Sequence, residues 1–256
     1  MSSTTALPEI AAIRYVAPLR EGGSMPALVE ADDDGLYVLK FRGAGQGLLA
    51  LVAEVIVGEL MRALGLLVPQ LALIDLDPVL GRAEPDPEIQ ELILASGGLN
   101  LGVDFLPGAL AYTPNASVQP DDELAANVVW LDALLTNVDR TAANPNLLVW
   151  HQRVWLIDHG AALYLQHEGL RPAEQATRAF PQIADHVLLP RAGSIIEADE
   201  RLAHRVERGL LERVVALVPG DWLVGDPAEA YVEYLERRLR PPRAFAQEAE
   251  RVRAQP

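Results

Sequence analysis

Cysteine is absent from this 256-residue sequence, which excludes a disulfide framework and thiolate chemistry. Long apolar runs are also missing, because no uninterrupted stretch approaches the roughly 18 residues that a membrane span needs. The first residues lack the charged segment and apolar core of a secretory signal. These absences predict a soluble, cytoplasmic protein that does not span a membrane.

Positive charge is scarce as well. The chain has 21 basic against 36 acidic residues, a net charge of −15. A nucleic-acid-binding protein normally carries a basic face, so nucleic acid is not expected as a partner. Docking on anionic membranes is disfavoured for the same reason. Lys40 is the single lysine, and its compact ammonium differs from a planar guanidinium, which suggests a role that arginine cannot fill.

Several familiar active-site motifs are missing. The five histidines show no H-x-x-x-H spacing, and no G-x-S-x-G nucleophile elbow is present. The glycine-rich stretch 43–47 fits neither a dinucleotide fingerprint, because residue 48 is leucine, nor a Walker A loop. We expect this stretch to be a connector, with a phosphate-covering flap as the other possibility.

What is present predicts a strand-rich first half and a helical second half, an α+β fold with a boundary near Pro107-Gly108. Short apolar runs between turn residues predict strands; they are Ile13–Pro18, Leu36–Phe41, Val68–Asp75 and Leu99–Leu106, with Ile89–Ala95 as a strand that could equally be helical.

The first half also contains one helix that is apolar on almost every side. It spans Leu48–Leu64 and is expected to be buried. Glu54 is the exception, since its neighbours one helical turn away are all apolar. A buried carboxylate needs a partner, for which Lys40 is our candidate; exposure in a cleft or pairing with an arginine are the alternatives.

The second half is expected to contain three helices, at residues 121–136, 195–218 and 227–250. Acidic residues at 121–123 suit the first turn of a helix. Asp132, inside the first of these helices, is expected to be a buried acid that braces the loop that follows.

The segment Thr136–Gly160 is the centre of the sequence. Two short apolar runs flank a polar turn at residues 151–153, which predicts a β-hairpin. Asp139 and Asn144 lie just before the hairpin, and Asp158-His159-Gly160 lies just after it. An acid and an amide at one end, with a second acid beside them, can hold a divalent metal and phosphate.

These pieces match what phosphoryl transfer requires. D-x-x-x-x-N, an apolar hairpin and then Asp-x-Gly occur in protein kinases, downstream of a strand lysine that pairs with a helix glutamate. Asp139 to Asn144, Asp158, Lys40 and Glu54 follow that chain order. The combination predicts a kinase.

The segments NVDRTAANPNLLVW, WLIDHGAAL and VLKFRGAGQG resemble the HipA-like kinase domain family, which is related to HipA toxins and more distantly to phosphatidylinositol 3/4-kinases. The resemblance covers roughly residues 10–190 and is most specific over 137–160. It implies a two-lobed protein-kinase-like fold with ATP and Mg²⁺ in the cleft. Residues 1–108 would form the nucleotide-binding lobe and 109–256 the catalytic, mainly helical lobe. Aminoglycoside phosphotransferases fit less well, because they usually place His-Gly before the Asp, where this chain has Asn137-Val138.

The resemblance also implies roles for individual residues. Asp139 would be the catalytic carboxylate, and Asp158 with either Asn144 or Asn146 would bind Mg²⁺. Lys40 would contact the nucleotide phosphates, oriented by Glu54. The phosphate loop would be Gly22-Gly23-Ser24, with the 43–47 stretch as its competitor. The chain departs from the family at Thr141, where a histidine is common, so no role of that histidine carries over.

We therefore expect an ATP- and Mg²⁺-dependent kinase that phosphorylates a hydroxyl group, on a protein Ser or Thr. The alternatives are a nucleotide-binding pseudokinase with a regulatory role, and a kinase for a lipid or small molecule. A regulatory partner protein is compatible with each of them, but no motif identifies it.

Overall fold

The computed structural model describes residues 6–19, 25–45, 47–170 and 173–255. The chain is α+β and divides into two compact units. The first consists of Met1–Val52 and Pro69–Pro107, and the second of Ala53–Val68 and Gly108–Pro256.

The first unit is built on a closed five-stranded sheet. Its strands are β1 (Glu9–Pro18), β2 (Ala27–Ala31), β3 (Leu36–Lys40), β4 (Leu71–Leu76) and β5 (Gly98–Asp104). They are hydrogen-bonded in the order β1-β2-β3-β5-β4. β1 runs parallel to β4, which closes the sheet, and the other pairs are antiparallel. The four strand predictions made without ambiguity are confirmed in type, with ends that shift by up to four residues.

The core of this unit lies inside the sheet. Ala27, Val29 and Ala31 alternate with less buried residues along β2, the period-two pattern of a strand with one buried face. Leu39 on β3 and Ile74 on β4 also contribute fully buried side chains.

The segment with the ambiguous prediction is a helix rather than a strand. α2 spans Pro87–Ala95, and the Asp86 side chain caps it by accepting a hydrogen bond from the Glu88 amide. Asp at the N-cap followed by Pro at the first helical position is a strong start signal, so capping decided the outcome here. Ile89 and Ile93, one turn apart, then pack on the core of the sheet.

The apolar helix, α1, spans Gly47–Ala63, as predicted. Residues 51–58 are all buried. Glu54 is only 2% exposed, so the expectation of a buried carboxylate is confirmed and its exposure in a cleft is excluded. The residues of α1 up to Val52 cluster with the first unit, and those from Ala53 onward cluster with the second.

The second unit holds the central hairpin. β7 (Leu147–Trp150) and β8 (Arg153–Leu156) pair in antiparallel register, and the two-residue β6 (Leu110–Ala111) adds to β7. His151 and Gln152 make the turn with φ of +47° and +60°, and two successive positive φ angles match the twist of a tight hairpin. The predicted strand-turn-strand unit is confirmed.

Helices make up most of the rest of this unit. α3 (Asp122–Leu134) begins after Asp121, whose side chain accepts a hydrogen bond from the Leu124 amide. The short helix α4 spans Ala173–Ala176. The prediction of two long helices near the C-terminus is wrong, because each of them is divided into two shorter helices. They are α5 (Ile195–Leu202) and α6 (Arg208–Val215), then α7 (Ala228–Arg238) and α8 (Ala244–Arg253). Pro241-Pro242 separates the second pair, since proline cannot continue a helix.

None of the helices among the described residues is long and apolar enough to cross a membrane.

Candidate active site

The loop between α3 and β7 folds around the carboxylate of Asp139. The side-chain nitrogen of Asn144 donates a hydrogen bond to Asp139 Oδ2 at 2.8 Å, and that of Asn146 donates to the same oxygen at 3.1 Å. The Asp139 amide in turn donates to Asn137 Oδ1 at 3.1 Å. The structure thus brings together Asp139 and both asparagines between which the sequence could not choose.

Both asparagines present an amide oxygen away from Asp139. A carboxamide is planar, so an amide that turns its nitrogen toward Asp139 points its oxygen the opposite way. Asn144 is exposed, whereas Asn146 is 7% exposed and adopts a left-handed φ of +49°, which asparagine tolerates better than most residues. Either oxygen is the type of ligand that Mg²⁺ accepts.

Thr141 has structural contacts of its own in this loop. Its hydroxyl accepts a hydrogen bond from the Asn144 amide at 3.2 Å. Its own amide donates to the carbonyl oxygens of Asp139 and Asn144, both at 3.0 Å. Thr141 therefore closes the turn that returns Asn144 to Asp139.

Asp158 lies at the same end of the hairpin as Asn146. Leu147 pairs with Leu156, and the Ile157 amide donates to the Asn146 carbonyl at 3.1 Å, so the pairing continues to the residue before Asp158. Asp158 has a φ of +54°. A non-glycine residue in this region is uncommon and is often found at functional sites.

Arg140 links the residue just before β7 to the residue just after β8. Its Nη1 donates to the carbonyl oxygens of Asn146, at 2.5 Å, and Ile157, at 3.3 Å. Its Nη2 lies 3.0 Å from His159 Nδ1. One guanidinium fork thus joins the residues adjoining Asp139 to those adjoining Asp158, which is the multi-partner geometry that suits arginine.

Asp132 is the counter-charge for Arg140. Both side chains are fully buried, and Arg140 Nε donates to Asp132 Oδ2 at 2.6 Å. Asn137 donates to the other carboxylate oxygen at 3.0 Å. Although burial alone would raise the pKa of Asp132, Arg140 and His186 hold that pKa below its usual value. The prediction that Asp132 is a buried acid bracing the following loop is confirmed.

His186 completes this buried cluster. Its Nε2 lies 2.9 Å from Asp132 Oδ2, and its Nδ1 accepts a hydrogen bond from the Leu188 amide at 3.1 Å. Because Nδ1 accepts, the proton resides on Nε2, which donates it to Asp132, and the ring is neutral. Burial lowers the pKa of His186, in agreement with the neutral form.

Sequence reasoning did not find Arg140, Asn137 or His186. Arg140 follows the candidate catalytic Asp139 directly, and its position next to an acid gave no sign that it turns inward. His186 lies 54 residues from Asp132. Only the tertiary fold joins them, so no local pattern could have revealed the pair.

Two further candidates, Lys40 and Glu54, belong to different units. Lys40 is the last residue of β3, in register with Leu101, and is half-buried. Glu54 lies in the part of α1 that belongs to the second unit. Their pairing stays a prediction. Gly22, Gly23 and Ser24 lie outside the described residues.

The competing glycine stretch is anchored within the first unit. The Arg42 amide donates to Asn100 Oδ1 at 2.8 Å, and the Gly43 amide donates to Ser96 Oγ at 3.2 Å. A side chain at Gly43 would bring a Cβ within 2.8 Å of Ser96 Oγ, so glycine is needed for this close approach. The start of this stretch is therefore fixed, and its role as a connector or a phosphate-covering flap stays a prediction.

Among the described residues, no three His, Cys, Asp or Glu side chains converge to hold a metal ion. Mg²⁺ commonly binds through one or two carboxylates and the phosphates of its substrate, and the Asp158 carboxylate and an asparagine oxygen are groups of the type that could hold it.

Comparison with known structures places the fold among kinases. The proinflammatory kinase CtkA of Helicobacter pylori superposes with a TM-score of 0.57 at 14% identity, over 96% of this chain and 98% of that one. The Golgi casein kinase gives 0.48 at 14% identity, over 98% of this chain and 72% of that one. A second Golgi casein kinase structure, with Mn/ADP bound, gives 0.47 at 13% identity over 98% and 73%.

The solved structures identify the fold, whereas the sequence match identifies the family. No curated protein matches the chain. The sequence matches the HipA-like kinase family over residues 12–240. Since this match covers most of the 256 residues, the chain belongs to the HipA-like kinase family and is a phosphotransferase.

Proposed function

We propose that this protein is an ATP- and Mg²⁺-dependent kinase that transfers the γ-phosphate to a hydroxyl group of a protein Ser or Thr. The observation that carries the proposal is the Asp139 carboxylate, held by two asparagines at the hairpin end where Asp158 also lies. Residues 1–108 would form the nucleotide-binding lobe and residues 109–256 the catalytic lobe.

Asp139 binds the acceptor hydroxyl and accepts its proton. Asn144 and Asn146 hold its Oδ2, which turns the carboxylate and fixes where Oδ1 points. As the hydroxyl oxygen bonds to the γ-phosphorus, the bond from that phosphorus to the β-phosphate oxygen breaks. The hydroxyl proton passes to Asp139, and ADP leaves with the electron pair. Positioning and charge stabilisation supply most of the catalysis in this class of reaction.

Asp158, with Asn144 or Asn146, would hold Mg²⁺. The bound ion would neutralise charge on the phosphates during transfer. Lys40 would add a compact positive charge at the phosphates, with Glu54 orienting it. Gly22, Gly23 and Ser24 would cover the phosphates.

A radiolabel assay tests the proposal. The purified chain is incubated with Mg²⁺ and γ-³²P-ATP, alone and with a Ser/Thr-rich protein such as casein. We expect label in acid-stable, alkali-labile form, as phosphoserine and phosphothreonine behave. Asp139→Asn should lower incorporation by about 10²–10⁴-fold, the usual contribution of a positioned acid or base.

Asp185→Asn is the control, because Asp185 is an exposed acid of the second unit. It should behave as wild type. Nucleotide binding without label transfer would instead indicate a regulatory pseudokinase. Equal incorporation by the wild type and Asp139→Asn would contradict the role given to Asp139.

A further inference from the structure

A cavity of about 440 Å³ lies within the second unit, apart from the Asp139 carboxylate. Its lining includes Thr136, Tyr164, Phe180 and two arginines, Arg178 and Arg238. This volume lies in the range of small-molecule sites. None of the described residues that line it is acidic, in a chain where acids outnumber bases by 36 to 21.

Arg238 gives this cavity a buried positive charge. The residue is 2% exposed. Its Nε and Nη2 donate to the carbonyl oxygens of Leu134, at 2.7 Å, and Ala133, at 2.8 Å. Its Nη1 donates to two further carbonyl oxygens, at 3.2 and 3.3 Å. The guanidinium therefore has hydrogen-bond partners but, among the described residues, no carboxylate within 4 Å of its nitrogens.

Arg238 differs from Arg140, which has a carboxylate as its partner. Arg140, also almost fully buried, has the Asp132 carboxylate 2.6 Å from its Nε. Arg238 has only the partial negative charges of carbonyl oxygens, two of them at the C-terminal end of α3, together with the faces of Tyr234 and Phe245 at 5.8 and 5.1 Å. A buried charge without a formal counter-ion is costly, and an anion in the adjoining cavity would offset that cost.

The other lining groups suit the same ligand. Arg178 is exposed and can reach a bound anion directly. Thr136 and Tyr164 supply hydroxyls, and Gln175 and Gln182 supply amides, all of which can donate hydrogen bonds to oxygen. Hydrogen-bond donors therefore line the cavity, and its two charged lining residues are both positive.

We propose that this cavity is an anion site that binds a small oxyanion, a phosphate or a carboxylate group, through Arg178 and the field of Arg238. The site adjoins the start of the catalytic loop, because Thr136 lies three residues before Asp139. The segment after Asp158 reaches the same place, where the Leu163 amide donates to the Leu135 carbonyl at 2.7 Å. An anion here would contact both segments.

Calorimetric titration tests the site without phosphoryl transfer, so its outcome does not depend on kinase activity. The probes are orthophosphate and malonate, each at constant ionic strength set with chloride. Arg178→Gln should weaken binding about tenfold or more, as expected when a hydrogen bond to a charged group is lost. Arg213→Gln, at an exposed arginine of α6 outside the cavity, should leave binding unchanged.

The two probes separate the two sources of oxyanion. Tighter binding of orthophosphate indicates a phosphorylated ligand, and tighter binding of malonate indicates a carboxylate. Binding that is equal in the wild type, Arg178→Gln and Arg213→Gln would overturn the proposal. Binding that saturating Mg-ADP abolishes and that Arg178→Gln leaves intact would also overturn it, since the anion would then occupy a nucleotide phosphate site.

Discussion

At the scale of single residues, Arg140 contacts both segments that flank the hairpin of the candidate site. It is fully buried, and it binds the Asp132 carboxylate and the carbonyl oxygens of Asn146 and Ile157. Arg140→Met leaves the Asp132 carboxylate without its cation, and breaking a buried ion pair in this way costs about 3–5 kcal/mol. We expect that loss in the free energy of unfolding measured with urea.

The control for Arg140 is Arg251→Met, which removes an exposed ion pair with Glu248. An exposed pair contributes at most about 1 kcal/mol. Arg140→Lys should fall between the two, because an ammonium keeps the charge but cannot serve several partners at once. Equal losses for Arg140→Met and Arg251→Met would show that the buried network does not stabilise the fold.

His186 gives the stability of the protein a pH dependence. Its pKa in the folded chain lies below the usual value because the ring is buried. In the unfolded chain, His has a pKa of about 6.5. Below that pH the unfolded chain takes up the proton more readily than the folded chain, so acidification favours unfolding. The contribution is fully present above about pH 6.5 and is lost as the pH falls below it.

His186→Gln tests this assignment. A glutamine amide can donate to Asp132 and accept from the Leu188 amide, as the neutral ring does, but it does not titrate. We expect the loss of unfolding free energy between about pH 6.5 and pH 5 to be smaller in this variant than in the wild type. His151→Gln, at an exposed histidine, should keep the wild-type slope. An unchanged slope in His186→Gln would mean that another group carries the dependence.

At the scale of secondary-structure elements, the β7–β8 hairpin contains a turn that its sequence does not favour. Gln152 has a φ of +60°, and the left-handed region costs a side-chain-bearing residue about 1–2 kcal/mol. Gln152→Gly removes that cost, although glycine also gains freedom in the unfolded chain. We expect a net gain of up to about 1 kcal/mol in urea unfolding, with unchanged activity.

Gln152→Ala is the matched control, because alanine keeps the Cβ that the left-handed region disfavours. It should give no gain. A glycine variant no more stable than the alanine variant would mean that the turn relaxes to another conformation at little cost.

The elements also show where sequence reasoning worked. The hairpin and the spacing from Asp139 to Asn144 are local, so the residues that form them are close together in the sequence. α2 is different, because its short apolar run suits either a strand or a helix, and the decisive signal was Asp86-Pro87 just before it. The pairing of His186 with Asp132 depends on packing between distant segments, which no local pattern encodes.

At the scale of the whole molecule, ligand binding and folding are linked. A ligand that binds only the folded chain raises the free energy of unfolding, by about 2.7 kcal/mol at a concentration 100 times its Kd. If Asp158 helps to hold Mg²⁺ with ATP, stabilisation by ATP should be larger with Mg²⁺ than with EDTA. The melting temperature of the intact chain measures this difference directly.

The informative variant for this linkage is Asp158→Asn rather than Asp158→Ala. Asp158 has a φ of +54°, which asparagine tolerates and alanine does not, so Asn removes the charge without adding backbone strain. We expect Asp158→Asn to melt near the wild-type temperature without nucleotide and to lose the Mg²⁺-dependent part of the ATP shift. Asp185→Asn, at an exposed acid, should keep the full shift. A full Mg²⁺-dependent shift in Asp158→Asn would remove Asp158 from the metal site, because the ion would then be held without its carboxylate.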